Sequence, residues 1–311
     1  MPPFAEAAAR LAFGYARNQY GLRDKRPLGR YLERTVRFLT LGMRQPLVEA
    51  DMSGLRVLLR TADRTMARSV FAAGDWDPLL VGTTFRALDA YGIAYRGKTF
   101  LEVGANFGVY CLPAVAEYGF ARAIAYEPDP ESYRLLRQNV ERNRLHARVA
   151  THNAALSAAQ GELLLRLGGH NAGDNRVVSG KPAADARGLV RVPARTFDDE
   201  VAAGRIQLDE LGLVWLDVQG HEGDVLRGAG SLLSSNVPVV LEYATAMMST
   251  QARLDLDHLI ASSFDALVDL GWTSLTNRLR LQPSSAVHQL SVAGRPIETD
   301  LLLLHRSVKS I

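Results

Sequence analysis

The sequence predicts an α/β fold, a mostly parallel sheet with helices on both faces, and two observations predict it. Residues 99–129 run apolar strand, glycine-rich turn, helix, apolar strand, acid. Further apolar runs of strand length, at 147–153, 213–218 and 237–241, then alternate with helical patterns. Strands that alternate with helices in this way build βαβ units on a parallel sheet.

The 99–129 stretch organises the rest. Phe100, Leu101 and Val103 lead into the turn Gly104-Ala-Asn-Phe-Gly108, residues 109–118 are helix-compatible, and the second apolar run, 123–126, stops at Glu127-Pro128-Asp129. Ligand groups at the carboxyl ends of parallel strands mark a nucleotide site. The spacing narrows the ligand. A dinucleotide fold shows G-x-G-x-x-G, whereas this chain has Glu102-x-Gly104-x-x-x-Gly108. An acid just before the turn suits a cationic or hydroxyl-bearing ligand better than a pyrophosphate, and Glu127 stands about 20 residues on, where an acid grips ribose hydroxyls. A ligand that is amine-bearing, ribose-bearing and free of phosphate is S-adenosylmethionine. The alternative is a βαβ unit whose glycine turn is structural and holds no ligand.

The segment LEVGANFGVY followed by YEPDP resembles the FkbM family of class I methyltransferases, and VWLDVQGHEGDVLRGA resembles that family's second signature, Asp-x-Glu-Gly-x-Glu running into Val-Leu-x-Gly. The resemblance covers roughly residues 48–305. It implies a Rossmann-like class I methyltransferase sheet with its last strand antiparallel, and an N-terminal helical and β cap. It divides the chain into a cap over 1–95 and a methyltransferase domain over 96–311. It assigns the cofactor to Glu102, Gly104, Asn106, Gly108, Glu127 and Pro128, with Asn153 and Ala155 against the adenine. It implies methyl transfer to a hydroxyl of a small molecule or glycan, of natural-product or polysaccharide type. The sequence departs from the pattern at Gln219, where the family has an acid, and keeps Glu222.

The remaining elements follow in order. Residues 5–20 have helical character, and 30–41 form a basic amphipathic pattern that reads as a helix docked on the core or, alternatively, as a membrane-surface helix. Two β-like runs, 47–50 and 55–59, flank Gly54; 67–73 and 79–91 are helical. Trp76 sits in the turn between those helices, either lining the cofactor mouth or pinning the loop. Residues 130–144 form a helix opened by Pro130. Residues 161–167 alternate as an added strand, 190–196 form another, and a helix from 197 starts at an acidic cap. The polar loop 168–176 places His170, Asn171 and Asn175 as acceptor-contacting candidates. Residues 220–233 read as one helix, 254–270 contain another, and Gly271-Trp-Thr starts a final antiparallel pair that ends in 300–304, with 283–296 as a polar excursion or lid between its strands.

Transfer of a methyl group to a hydroxyl needs alignment and a base. Asp217, His221 and Glu242 are predicted on the carboxyl edge of the sheet and are the candidates. Two acids on neighbouring strands also suit a divalent cation such as Mg, by analogy with sugar O-methyltransferases of similar fold that use a metal.

Composition sets the bounds. The 311 residues are 47% hydrophobic and 22% charged, an ordinary globular balance. A net charge of +3 gives no argument for a nucleic-acid partner, and the expected partner is the acceptor alone, with a homo-oligomer left open. Cys111 is the single cysteine, so no intrachain disulfide forms. No apolar run approaches a membrane span, and residues 1–17 lack the basic start and apolar core of a signal peptide, so a cytoplasmic location is expected. Two rival functions stand beside the O-methyltransferase: a regulatory module that binds S-adenosylmethionine or a nucleotide without catalysis, and a nicotinamide oxidoreductase, disfavoured by the missing G-x-G-x-x-G.

Overall fold

An eight-stranded sheet runs through the computed structural model, which describes residues 28–178, 188–290 and 297–305. The strands, in chain order, are β1 (Leu47–Met52), β2 (Leu55–Arg60), β3 (Thr99–Val103), β4 (Arg122–Tyr126), β5 (Val149–His152), β6 (Ala155–Leu156), β7 (Gly161–Arg166), β8 (Arg176–Val177), β9 (Leu189–Arg195), β10 (Leu211–Leu216), β11 (Val239–Ala244), β12 (Ala266–Asp269), β13 (Gln282–Pro283) and β14 (Glu298–Leu304). Across the main sheet the order is β13-β12-β14-β11-β10-β3-β4-β5. Strands β5, β4, β3, β10 and β11 pair in parallel. Strand β14 enters antiparallel between β11 and β12. From β3 the chain winds one way to β4 and β5 and later returns to β10 and β11 on the other side. The β3/β10 boundary is therefore the switch point at which open α/β sheets bind ligands.

The apolar runs fit this layout because both faces of the sheet are covered. Neighbouring residues alternate between two cores. Phe100, Trp215 and Val240 face one, with the β1–β2 hairpin and the helices Met66–Ala73, Pro78–Ala90 and Pro130–Arg142. Leu101, Val214, Leu216 and Val239 face the other, with Leu226, Leu256 and Ile260 from the helices Glu222–Arg227 and Thr250–Ser263. A smaller sheet, in the order β6-β9-β7-β8, stands beside the main one.

Several elements differ from expectation. Leu270–Thr276 is a helix, not a strand, because Asp269 caps it and accepts from the Trp272 N–H at 2.8 Å. The antiparallel partner of β14 on that side is β12. Residues 220–233 form two short helices, Glu222–Arg227 and Gly230–Leu233. They break where Gly228 packs so closely on Ser157 that a Cβ would overlap its carbonyl oxygen. The cap of Phe197–Ala202 is the Thr196 hydroxyl, and the acids occupy the first turn behind it. The basic amphipathic segment is the helix Leu28–Gly42, docked through the fully buried Phe38. Residues 5–20 and 291–296 lie outside the described residues, so the helix expected over 5–20 and the last six residues of the expected lid are not part of this description; the rest of that excursion forms a 3-10 turn, Ser284–Ala286, and a short helix, Val287–Leu290, packed on the core through the buried Val287. Among the described residues no helix is long and apolar enough to cross a membrane.

The hairpin is fastened to the sheet layer by one side chain. Asn139, fully buried on the helix Pro130–Arg142, accepts from the Leu58 N–H at 2.7 Å and donates to the carbonyls of Leu58 (3.2 Å) and Phe107 (3.0 Å). It ties β2 to the glycine turn. Asn139→Ala removes these bonds and strands buried backbone groups, and it is expected to lower stability by about 3 kcal/mol. A urea unfolding curve checks it through its midpoint.

Candidate functional site

Two clefts open along the carboxyl edge of the parallel strands and meet at Met66, Gly173, Asp217 and Gln219. The first lies over the turn after β3. Gly104 has a φ of +91°, and a Cβ there would overlap the carbonyl oxygen of Asp217. Only glycine lets the ends of β3 and β10 come this close. Gly108, at φ +95°, is packed against Leu112 and Leu136, which a Cβ would meet at 2.8 Å and 3.0 Å. Asn106 takes the left-handed conformation, which asparagine tolerates, at φ 48°.

That turn presents N–H groups to acids. The Asn106 N–H donates to Glu127 Oε2 at 2.7 Å, and the Asp129 N–H donates to Oε1 at 2.7 Å. Glu127 still faces the cleft with lone pairs to spare. Burial pushes its carboxyl up to about 8, against the pull of those two N–H groups. Pro128, Ala155 and the apolar Leu156, Leu165 and Val177 complete this wall. The arrangement can take hydroxyls on Glu127 and a flat apolar ring beside it.

Glu102 and Asn153 stand behind the cleft rather than on its wall. Glu102 accepts from the N–H groups of Tyr110 (3.1 Å) and Cys111 (2.7 Å) and so seats the start of the helix Cys111–Ala116. Burial pushes its carboxyl up to about 8. Asn153 donates to the carbonyls of Glu127 (2.8 Å) and Pro128 (3.0 Å), fixing the strand end that carries them. Gly104, Asn106, Glu127, Pro128 and Ala155 face the cleft; Glu102, Gly108 and Asn153 shape it.

The second cleft lies beyond Asp217. Its floor is a row of three carboxylates on adjacent strands: Asp217 just past β10, Glu242 on β11, and Asp300 on β14, directly opposite Glu242. The Gln219 amide Nε2 bridges the first two, 2.8 Å from Asp217 Oδ1 and 2.8 Å from Glu242 Oε2. Gln219 reaches both from a left-handed φ of 55°. Burial raises the Asp217 carboxyl. Burial first, and then the charge of Asp217, raises Glu242. The pair therefore keeps a proton well above the ordinary carboxylate range. Burial also pushes Asp300 well up and Asp77 to about 6. Glu222 holds the turn beneath, with its Oε1 accepting from the N–H groups of Val218 (3.0 Å) and Gly220 (3.3 Å). Burial pushes its carboxyl up to about 7.

The other candidates are distributed unevenly. His221 lines the first cleft and not the second: its Nε2 is 2.9 Å from Ser157 Oγ and its Nδ1 3.3 Å from Asp224, while burial lowers its pKa. It shares the first cleft with Asp217 and lies apart from Glu242, which lines only the second. His170 is exposed and lines neither cleft. Asn175 lines the first cleft, accepting from Gly168 N–H and donating to Asp129. Asn171 alone of the three loop candidates faces the second cleft. Trp76 lines that cleft and also pins its loop, donating from Nε1 to the Tyr110 hydroxyl at 3.1 Å. Among the described residues no three His, Cys, Asp or Glu side chains converge as a metal site, so the expected divalent cation finds no ligand set. Sequence reasoning missed Asp77, Tyr110, Trp272 and Asp300 on the second cleft. The one signal was Asp300 at the head of a leucine run.

Comparison with known proteins closes the assignment. The family model described as "Methyltransferase FkbM domain" matches residues 102–269, more than half of the chain and less than the 48–305 that the resemblance suggested. No curated protein sequence matches. Similar solved structures include the methyltransferase FkbM from Methylobacillus flagellatus, at 16% identity and a TM-score of 0.41, covering 74% of this chain and 56% of that one. A putative transferase from Pyrococcus horikoshii has 11% identity and a TM-score of 0.41, covering 84% and 73%. TYW2 from Pyrococcus horikoshii, solved in complex with MeSAdo, has 12% identity and a TM-score of 0.39, covering 84% and 72%. The chain thus spans little more than half the length of the first of these. With the matched domain running from the acid of β3 to the end of β12, the chain belongs to the FkbM methyltransferase family.

Proposed function

We propose that this chain is a methyltransferase that uses S-adenosylmethionine and methylates a hydroxyl of a small molecule or glycan. The observation that carries the reading is the Asp217–Gln219–Glu242 unit at the junction of the two clefts. The first cleft fits the cofactor: Glu127 offers lone pairs to ribose hydroxyls, the glycine turn brings backbone close, and Leu156, Leu165 and Val177 suit a flat base. S-adenosylmethionine supplies an electrophilic methyl group on a sulfonium.

The protein has two tasks. It aligns the acceptor oxygen, and alignment lowers a displacement barrier by several kcal/mol. It also takes the acceptor's proton. Asp217 or Glu242 accepts that proton as the oxygen–methyl bond forms and the carbon–sulfur bond breaks, with the electron pair remaining on sulfur. A carboxylate whose pKa is raised by burial and a like-charged neighbour is a stronger base than a free one. Gln219 holds both carboxylates so that one stays aimed at the junction. Residues 1–95 act as a cap and 96–311 as the catalytic domain, a division supported by Trp76 and Asp77 reaching over the second cleft.

Glu127→Ala is expected to weaken S-adenosylhomocysteine binding about 100-fold, two charge-assisted hydrogen bonds being lost; titration calorimetry measures it. Asp217→Asn is expected to leave that affinity in place and lower kcat about 10²–10⁴-fold, the usual worth of a base. Labelled S-adenosylmethionine with an acceptor panel reads this. The same assay gives a pH profile. Activity requires the deprotonated pair, so kcat rises with pH, and the limb lies above the ordinary carboxylate range. Removing one negative neighbour lowers the pKa of the other, so Asp217→Asn moves the residual limb to lower pH. A limb unmoved by the substitution would exclude the pair as the base.

A further inference from the structure

The second cleft has a charge pattern that hydroxyl chemistry does not require. Asp77, Asp217, Glu242, Glu298 and Asp300 all line it, and among the described residues no lysine, arginine or histidine does. Acids crowded this way normally find cations. Glu200, elsewhere in the fold, has Arg195 and Arg205, and Asp129 has Arg60. Asp300 has none. It lines the cleft, partly buried, opposite Glu242 in the β11/β14 register, and no group among the described residues donates a hydrogen bond to its carboxylate. A carboxylate taken from water without a donor or counter-charge is costly to maintain.

The walls make the same point independently. Trp76 and Tyr110 line one side, and Trp272, 39% exposed, lines the cleft as well. Aromatic faces attract organic cations through their ring quadrupoles. A compact metal ion is a poor match, because the acids are spread over β11, β14 and the 75–77 turn and no three converge. A larger cation with its charge on nitrogen spans such a spread.

We propose that the acceptor carries a protonated amine, bound in the second cleft by Asp300 with Asp77 and Glu298 and bracketed by Trp76 and Trp272. Asp217 and Glu242 remain at the junction for the reacting hydroxyl. The inference rests on the methyltransferase site described above and adds the acceptor's class, an amine-bearing hydroxy compound. Asp300 is then a specificity residue: it selects charge at a position away from the transferred methyl group. Crowding keeps protons on the acids, and an incoming ammonium takes their place.

The experiment uses the full chain saturated with S-adenosylhomocysteine, titrated at neutral pH with benzylamine and with benzyl alcohol. The two probes share a shape and differ in charge. Benzylamine is expected to bind at least about tenfold more tightly, a ratio worth about 1.4 kcal/mol, and Asp300→Asn is expected to erase the difference while S-adenosylhomocysteine affinity stays put. Equal binding of the two probes, absence of benzylamine binding, or an amine preference that survives Asp300→Asn overturns the proposal. If Asp300→Asn loses S-adenosylhomocysteine binding through misfolding, the exposed Glu298→Gln takes its place, with at least a threefold loss of preference expected and an unchanged preference counting against the proposal. Failure of the wild type to bind S-adenosylhomocysteine overturns the cofactor assignment, and the amine site falls with it; failure at the probe stage alone removes only the amine site.

Discussion

The ends of β3 and β10 meet backbone to backbone, with the α-carbon of Gly104 against the carbonyl of Asp217, and both clefts depend on that approach. Strands at a switch point send their following segments to opposite sides, leaving a gap between them. Here the gap is narrowed until no side chain fits. The turn after β3 can then aim its N–H groups at Glu127, while the segment after β10 delivers Asp217 and Gln219 to the other side of the same contact. A wider separation would uncouple the Glu127 wall from the carboxylate row and leave the two clefts without a common junction.

The acids around the clefts divide into two kinds, buried and half-buried, and the division explains the architecture. Glu102, Glu127 and Glu222 each receive two backbone N–H groups and hold a turn or helix start in place. They serve as fixtures, since a carboxylate with two N–H donors recovers much of what burial takes from it. Asp217 and Glu242 share one donor side chain, Gln219, Asp300 has none among the described residues, and the three lie side by side on adjacent strands where their charges repel. Nothing in the folding of the sheet calls for three acids in a row. They raise the cost of the native state along the second cleft, and crowding of this kind is a mark of functional sites.

Much of this was legible in the chain itself. The turn from Glu102 to Gly108, the acid at Glu127 and the pairing of Asp217 with Glu242 at neighbouring strand ends follow from local pattern and from parallel topology. The insertion of β14 between β11 and β12 does not. It is a non-local antiparallel pairing, and Gly271-Trp-Thr carries aromatic and β-branched residues that suit a strand, while the deciding feature is the Asp269 cap one residue before the helix. Once β14 is misplaced, Asp300 has no visible partner, because its position opposite Glu242 is a matter of register. Side-chain direction was equally hidden. His221 and Asn175 face the first cleft, Asn171 faces the second and His170 neither, a division that spacing along the chain does not carry.

Gln219 shows how the departure from the family pattern fits the rest. A carboxylate at this position would add a third negative group between Asp217 and Glu242, and such a trio needs a cation at its centre. The glutamine amide instead offers two N–H bonds from one nitrogen, and its Nε2 lies 2.8 Å from each carboxylate, where a cation would otherwise stand. Neutral donation lets two acids coexist with a shared proton and no metal ligand set, which agrees with the spread of the described acids. It also leaves their negative charge only partly compensated. That residual field extends toward Asp300, which has no such donor among the described residues, so the same glutamine that joins Asp217 to Glu242 leaves the neighbouring cleft lined by acids and, among the described residues, by no lysine, arginine or histidine.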